Sequence, residues 1–313
     1  TGAGGWLGGH VLDALRPSLT VHDRLVVLGR NRPRSLGEDL FVAADLLDPV
    51  MLGRAVIEVA PDYVLHVAGK TPPAGDEELF EINVRGTERL LDALETLNRS
   101  IRVVMVGSAA ELGPIAAADL PVVEDHPCRP ALAYGRSKLA ATSSAQARRG
   151  PLQIVVGRVF NLIGPGMPES LAFGRFATQL AASSAGPVEI QAGRLDSRRD
   201  FVDVRDAARA LVELAERGRP GRVYNVASGR SYTIKEGLDL LVNLSGRAAR
   251  VVFDSSTSRS GDPDDTRADL TRITTEVGWR PEIPFERSMA DLWASALASR
   301  GRALPLTPGT AHL

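Results

Sequence analysis

The chain has one cysteine, Cys128. A lone thiol excludes an internal disulfide and Cys-rich zinc sites, and it fits a reducing compartment. An excess of either charge is also missing: 37 Lys and Arg stand against 38 Asp and Glu. Without a basic excess there is no electrostatic footprint for nucleic acid, and no acidic tail points to a solvating segment. No apolar run reaches the roughly 20 residues that cross a bilayer. A secretory leader is not expected either. The cytoplasm is therefore the expected compartment, with neither nucleic acid nor membrane as partner and no metal. Aromatic residues are few, and the composition is otherwise that of a globular protein. The 313 residues allow one large domain or two ordinary ones, with a sizeable core.

Against these absences, the chain opens on glycine. Gly2, Gly5 and Gly8 form a Gly-x-x-Gly-x-x-Gly pattern running into a helix over about Leu7 to Leu15. Such a loop turns tightly, brings backbone N–H groups to a pyrophosphate and aims a helix N-terminus at it. A buried strand normally precedes it, and the expectation is that one lies upstream of Thr1. The run Arg24–Leu28 reads as the next strand, followed by Gly29-Arg30-Asn31-Arg32. An NAD-selective fold carries an acid near this point for the ribose 2′-hydroxyl. Here Arg30 and Arg32 stand instead and suit a 2′-phosphate, which favours NADP(H) and leaves NAD(H) possible.

Strand and helix then alternate. Phe41–Leu46 reads as a strand and Asp48-Pro49 as a helix start. Tyr63–Gly69 reads as a buried strand in which His66 packs, and a helix follows from about Asp76 to Leu97. Ile101–Ser108 reads as a strand with Ser108 at its C-terminal end, the end where open α/β sheets bind ligands. After a proline-containing loop comes Tyr134-Gly135-Arg136-Ser137-Lys138. Four residues on a helix place phenol and ammonium on one face. A lysine there is expected to favour the phenolate and tune the tyrosine for proton transfer. Gln153–Phe160 reads as a further strand. The apolar strands and their rhythm predict an α/β fold with a doubly wound parallel sheet, a Rossmann sheet.

The rhythm changes after Ile163. We expect residues 1–162 to form the dinucleotide-binding domain. Residues 163–300 would form mainly a smaller, interwoven substrate domain, with 199–228 partly returning to the first, and 301–313 a loose tail.

Gly2-x-x-Gly5-x-x-Gly8, Ser108, Tyr134-x-x-x-Lys138, Asn161 and Arg199-Asp200-Phe201 recur in this order in extended short-chain dehydrogenase/reductases acting on nucleotide sugars, which this chain resembles along essentially its whole length. The stretches Arg158–Gly166, Ser197–Asp206 and Val223–Arg230 are most similar to the GDP-6-deoxy-D-mannose reductases, with the 4,6-dehydratases next. Gly278-Trp279-Arg280-Pro281 is also typical of the superfamily. The resemblance implies a 4-ketoreductase of a nucleotide-linked 4-keto-6-deoxy sugar, with an NAD-dependent 4-epimerase as alternative and a dehydratase behind it. It implies that Tyr134 protonates the C4 oxygen, that Lys138 holds the nicotinamide ribose, and that Ser108 hydrogen-bonds the same oxygen. Asn161 would position the substrate, and Arg199 and Arg259 would clamp its diphosphate. Gly2, Gly5, Trp6, Leu7, Gly8, Asp45, Leu46 and Ala68 would line the cofactor site, Asp45 accepting from the adenine amino group. A homodimer through the helices near 77–97 and 134–149 is also implied. Two departures stand out: Ala110 replaces the acid the dehydratases use, and Leu112 replaces the usual tyrosine, which would alter a pocket wall.

Overall fold

The computed structural model describes residues 1–33, 36–37, 39–182, 186–254 and 265–303. Arg259 and residues 304–313 of the expected tail lie outside them. The first half alternates α1 (Trp6–Leu15), β1 (Val26–Gly29), β2 (Leu40–Ala43), α2 (Pro49–Val59), β3 (Tyr63–His66), α3 (Asp76–Phe80), α4 (Gly86–Glu95), β4 (Ile101–Ser108), α5 (Ala133–Ala147) and β5 (Leu152–Val159). The second half adds β6 (Asn161–Ile163), α6 (Ala172–Ala182), β7 (Val188–Ala192), β8 (Arg198–Asp203), α7 (Val204–Arg217), β9 (Val223–Val226), β10 (Ser231–Thr233), α8 (Ile234–Ser245), β11 (Ala249–Phe253), α9 (Thr271–Glu276) and α10 (Phe285–Ala303).

The central sheet runs β3-β4-β5-β9, all parallel, and β1-β2 form a second parallel pair. Beside β3, Thr1 donates its amine to Leu65 O and accepts from Val67 N. The parallel α/β architecture expected from the apolar strands is present.

Period-2 alternation sorts β4 onto two layers. Ile101, Val103 and Met105 pack with Leu52, Val56, Leu90, Leu91 and Leu94 of α2 and α4. Val104, on the opposite face, packs with Val11 of α1, Leu211 and Leu214 of α7, and Trp279. Both faces of the sheet are thereby covered, as parallel sheets require. The fully buried Trp279 brings the segment after α9 back onto the first half's core.

A second core holds the C-terminal half together, and half of the chain's eight phenylalanines sit in it. Phe173 and Phe201 approach to 4.9 Å between ring centroids, and Tyr232 stacks on Phe285 at 4.1 Å. The short strands β6, β8 and β10 form a sheet of their own, β10-β8-β6. Three-residue strands carry too little periodicity to be read in advance. Asp206 ties α7 to the segment before α10 by accepting from the Glu282 and Ile283 amides at 2.8 Å each. Among the described residues no helix is long and apolar enough to cross a membrane.

Candidate active site

The site lies beyond the C-terminal ends of the parallel strands. Ser108 ends β4 and caps the turn Ala109–Glu111: its Oγ accepts from Ala110 N at 3.2 Å. A strand-end serine capping a turn is thus one of its tasks. Its side chain also faces the Tyr134 hydroxyl, close enough to pull the phenol's pKa down. Tyr134 stands in the first turn of α5, and Lys138 stands one turn later on the same face.

Lys138 donates Nζ to Val106 O at 2.6 Å. Burial lowers its pKa, and the nearby Glu111 carboxylate opposes that. Burial pushes the Tyr134 phenol up, against the Ser108 side chain that pulls it down, while Glu111 adds to the rise. The four-residue spacing of phenol and ammonium predicts the opposite direction, toward phenolate. It is corrected because removing the phenol from water outweighs the lysine, whose ammonium is engaged by a strand carbonyl. A phenol held protonated through neutral pH is a proton donor in waiting.

The long helix expected over 76–97 is interrupted by a π turn, Glu81–Arg85. Such bulges recur at functional sites. This one carries Asn83, whose Oδ1 accepts from Lys70 N at 2.7 Å and whose Nδ2 donates to Lys70 O and Ser137 Oγ, both at 3.0 Å. Ser137 Oγ in turn donates to Tyr134 O at 2.9 Å. Asn83 therefore joins the loop after β3 to α5. Its sequence signal was only a polar residue inside an amphipathic helix. His66 is buried in β3 as expected, its ring bonded to Thr1 Oγ1 and Thr87 Oγ1. Burial above all, with the Lys138 charge also contributing, holds its pKa down at about 3.

The glycine loop fits a dinucleotide. A Cβ on Gly2 would come within 2.3 Å of Ala68 N, and one on Gly8 within 2.0 Å of Gly2 O, so the glycine turn meets the loop after β3, and α1 meets the turn, only because these side chains are missing. Gly5 precedes α1 with no side-chain cap, leaving the first-turn N–H groups to face a ligand. The Trp6 indole donates to Pro165 O at 2.8 Å, and the Leu7 side chain packs on the core. Arg30 and Asp45 follow the ends of the adjacent strands β1 and β2. Arg30 is exposed, whereas Arg32 donates to Gly37 O and Asp39 O. Asp45 Oδ1 accepts from Leu47 N at 2.9 Å. Leu46 packs beneath Gly86 on α4.

On the other side, Asn161 opens β6 and donates to Asp200 O at 3.2 Å. Arg199 Nη1 donates to Arg198 O. Asp200 is fully buried and accepts from Ser228 N and Oγ, Gly229 N and Ala268 N. Burial pushes its pKa up to about 6 despite those four donors. Around this anchor opens a hollow of about 330 Å³ lined by Arg198, Arg230, Arg267, Ser231, Tyr232 and Asp265. Three guanidiniums around one hollow suit a diphosphate. Arg267 carried no motif in the sequence, and Arg198 lay in the Ser197–Asp206 stretch without a role of its own, since the fold alone brings β8, β10 and the segment before α9 together. Leu112 is buried with Val122, Phe160, Ala227 and Ala268, so it fills core and is not a pocket wall.

The profile of the NAD dependent epimerase/dehydratase family matches residues 1–227. GDP-6-deoxy-D-mannose reductase of Pseudomonas aeruginosa is 34% identical over 78% of this chain and 83% of that protein. dTDP-6-deoxy-L-talose 4-dehydrogenase (NAD(P)(+)) of Kitasatospora kifunensis is 30% identical over 86% of each. The solved structure of RMD from Pseudomonas aeruginosa complexed with NADPH superposes with a TM-score of 0.83 at 31% identity, covering 96% of this chain and 98% of that one.

Proposed function

The chain belongs to the NAD dependent epimerase/dehydratase family, and we propose that within it this protein is an NADPH-dependent reductase of the 4-keto group of a nucleotide-linked 4-keto-6-deoxy sugar. The observation that carries the reading is at the end of β4. Ser108 and the Tyr134 hydroxyl face each other closely enough for the serine to pull the phenol's pKa down, with Lys138 one turn away, while Ala109 and Ala110 put no acid at the position next to Ser108 that removal of water would need. Glu111 is turned inward, away from a role in removing water. The redox constellation is intact and the dehydrating one is missing. The reductase and the 4-dehydrogenase among the relatives, and the NADPH in the superposed structure, support the same assignment.

A bound nicotinamide supplies the hydride. The Ser108 and Tyr134 hydroxyls converge on the carbonyl oxygen and donate to it as negative charge develops. The proton leaves the Tyr134 hydroxyl. Its elevated pKa keeps it protonated until that moment, and the contribution of such an acid is about 10²- to 10⁴-fold in rate. Lys138, half-buried on the same helix face, stabilises the phenolate left behind. Arg198, Arg199, Arg230 and Arg267 hold the diphosphate, and Asn161 orients the sugar. Arg30 takes the 2′-phosphate of the cofactor. A twofold pair through α4 and α5 completes the reading and is checked by the mass in solution.

The test is NADPH consumption with GDP-, dTDP-, UDP- and CDP-linked 4-keto-6-deoxy sugars, in wild type and Tyr134→Phe. Turnover with at least one of them is expected, with its loss in Tyr134→Phe and retention of NADPH binding. Undiminished turnover in Tyr134→Phe defeats the mechanism. The same trio would serve a 4-epimerase, and protein purified with stoichiometric, non-exchanging NAD would favour that instead.

A further inference from the structure

A charged layer lies behind the catalytic trio. Glu111 is fully buried, and so, within 3%, is Arg158 on β5. Glu111 Oε1 accepts from Ser108 N at 2.8 Å and from Thr142 Oγ1 at 3.1 Å, and Oε2 accepts from Arg158 Nε at 3.4 Å. Tyr134, Lys138 and Thr142 are successive members of one i, i+4 row on α5. A single carboxylate oxygen therefore ties the strand end that carries Ser108 to the helix face that carries Tyr134 and Lys138.

We propose that Glu111 is the positioning residue of the reduction, holding Ser108 and α5 in one frame and setting a negative charge beneath Tyr134 and Lys138. The proposal rests on the ketoreductase reading above.

A buried carboxylate is expensive unless it is paired and hydrogen-bonded. An amide could accept from Ser108 N and Thr142 without that cost, so the charge itself has a use. Its field favours the protonated forms of both Tyr134 and Lys138, the forms a proton donor and its ammonium neighbour need. The groups around the pair can be named. Ser108 Oγ faces Tyr134, and Val106 O faces Lys138 from β4. His66 on β3 feels the Lys138 charge. Arg158 stands behind Glu111 and also donates to Glu124 O and Cys128 Sγ. The Glu124 carboxylate is engaged by Arg272 at 3.5 Å. Of these groups, Glu111 acts on both Tyr134 and Lys138.

The experiment is the pH dependence of kcat for NADPH-driven reduction, with thermal melting, in wild type, Glu111→Gln, Glu111→Asp and Glu111→Gln/Arg158→Met. Glu111→Gln is expected to lower kcat by about 10- to 100-fold, the scale of a misplacement near 1 Å. It should also move the alkaline limb to lower pH. Glu111→Asp keeps the charge but shortens the reach, so kcat falls while the limb stays. Glu111→Gln/Arg158→Met removes both charges together, recovers the melting temperature and still shows a smaller shift of the limb in the same direction. A role in stability alone would move melting and leave the limb where it is. A wild-type limb and kcat in folded Glu111→Gln, or in the double variant if the single one unfolds, overturns the proposal. Tyr134→Phe runs in the same assay: full turnover there sinks the functional reading itself, so the two failures are distinguishable.

Discussion

Gly8→Ala is the sharpest probe of the cofactor loop. The added Cβ would lie 2.0 Å from Gly2 O and 2.8 Å from the Ala3 Cα. Both atoms belong to the backbone of the turn, so no side chain can swing aside. Restoring ordinary contact requires roughly 1 Å of movement between the turn and α1 in an interior that is close-packed. Forcing one extra carbon into such packing costs about 1–3 kcal/mol. The movement falls on the first-turn N–H groups that would hold the pyrophosphate. If cofactor binding bears half or more of that cost, the NADPH dissociation constant rises about 2- to 150-fold. Gly9→Ala is the control: nothing lies within 4 Å of its Cβ, and it sits one residue further along the same helix. Alanine there is expected to be neutral or to stabilise by up to about 1 kcal/mol. Titration calorimetry with NADPH and urea unfolding of both variants give the comparison. Equal NADPH affinity for Gly8→Ala and wild type, or equal losses for the two variants, would refute the steric argument.

The two arginines after β1 should now behave differently. Arg30→Ala is expected to weaken NADPH by about 10- to 100-fold relative to NADH, the value of a charge-assisted contact. Arg32→Ala, which releases the Gly37 and Asp39 carbonyls, should affect both cofactors alike. Equal effects of Arg30→Ala on the two dissociation constants would count against the 2′-phosphate role. Asp200 gives a pH signature. Its folded pKa of about 6 lies above the ordinary 3.8, so its contribution to stability is complete below about pH 3.8 and is lost as pH rises through 6. The difference is worth about 3 kcal/mol. Urea midpoints at pH 4, 5 and 7 should show a steeper decline in wild type than in Asp200→Asn, and identical slopes would refute it.

Much of this protein was legible before any fold was drawn. Ile101–Ser108 is a strand end to end as read, because a nearly unbroken apolar run of this length suits a parallel strand covered on both faces. Asp48-Pro49 starts α2, with Asp48 Oδ1 accepting from Val50 and Met51 amides as an N-cap should. Tyr134 and Lys138 share a helix face because a four-residue spacing dictates it. These are local facts, settled within one turn or one strand.

What stayed hidden depends on residues distant in the chain. The direction of the Tyr134 shift turns on burial and on Glu111, and whether Glu111 points at substrate or into the core turns on Arg158, 47 residues away. Arg30 and Arg32 look equivalent in a basic turn, and only the Gly37–Asp39 loop commits one of them. Arg198, Arg230 and Arg267 become one hollow through the pairing of short strands and the four donors gathered on Asp200. By itself the sequence determined the order of the longer strands and helices, the glycine-rich turn, and the placing of Ser108 at a strand end with Tyr134 and Lys138 on one helix face, because hydrophobic period and short spacings encode which groups share a face. The tertiary structure alone decided which charges are buried, which are paired and which remain for a ligand, because desolvation and ion pairing act between elements whose meeting no local pattern records.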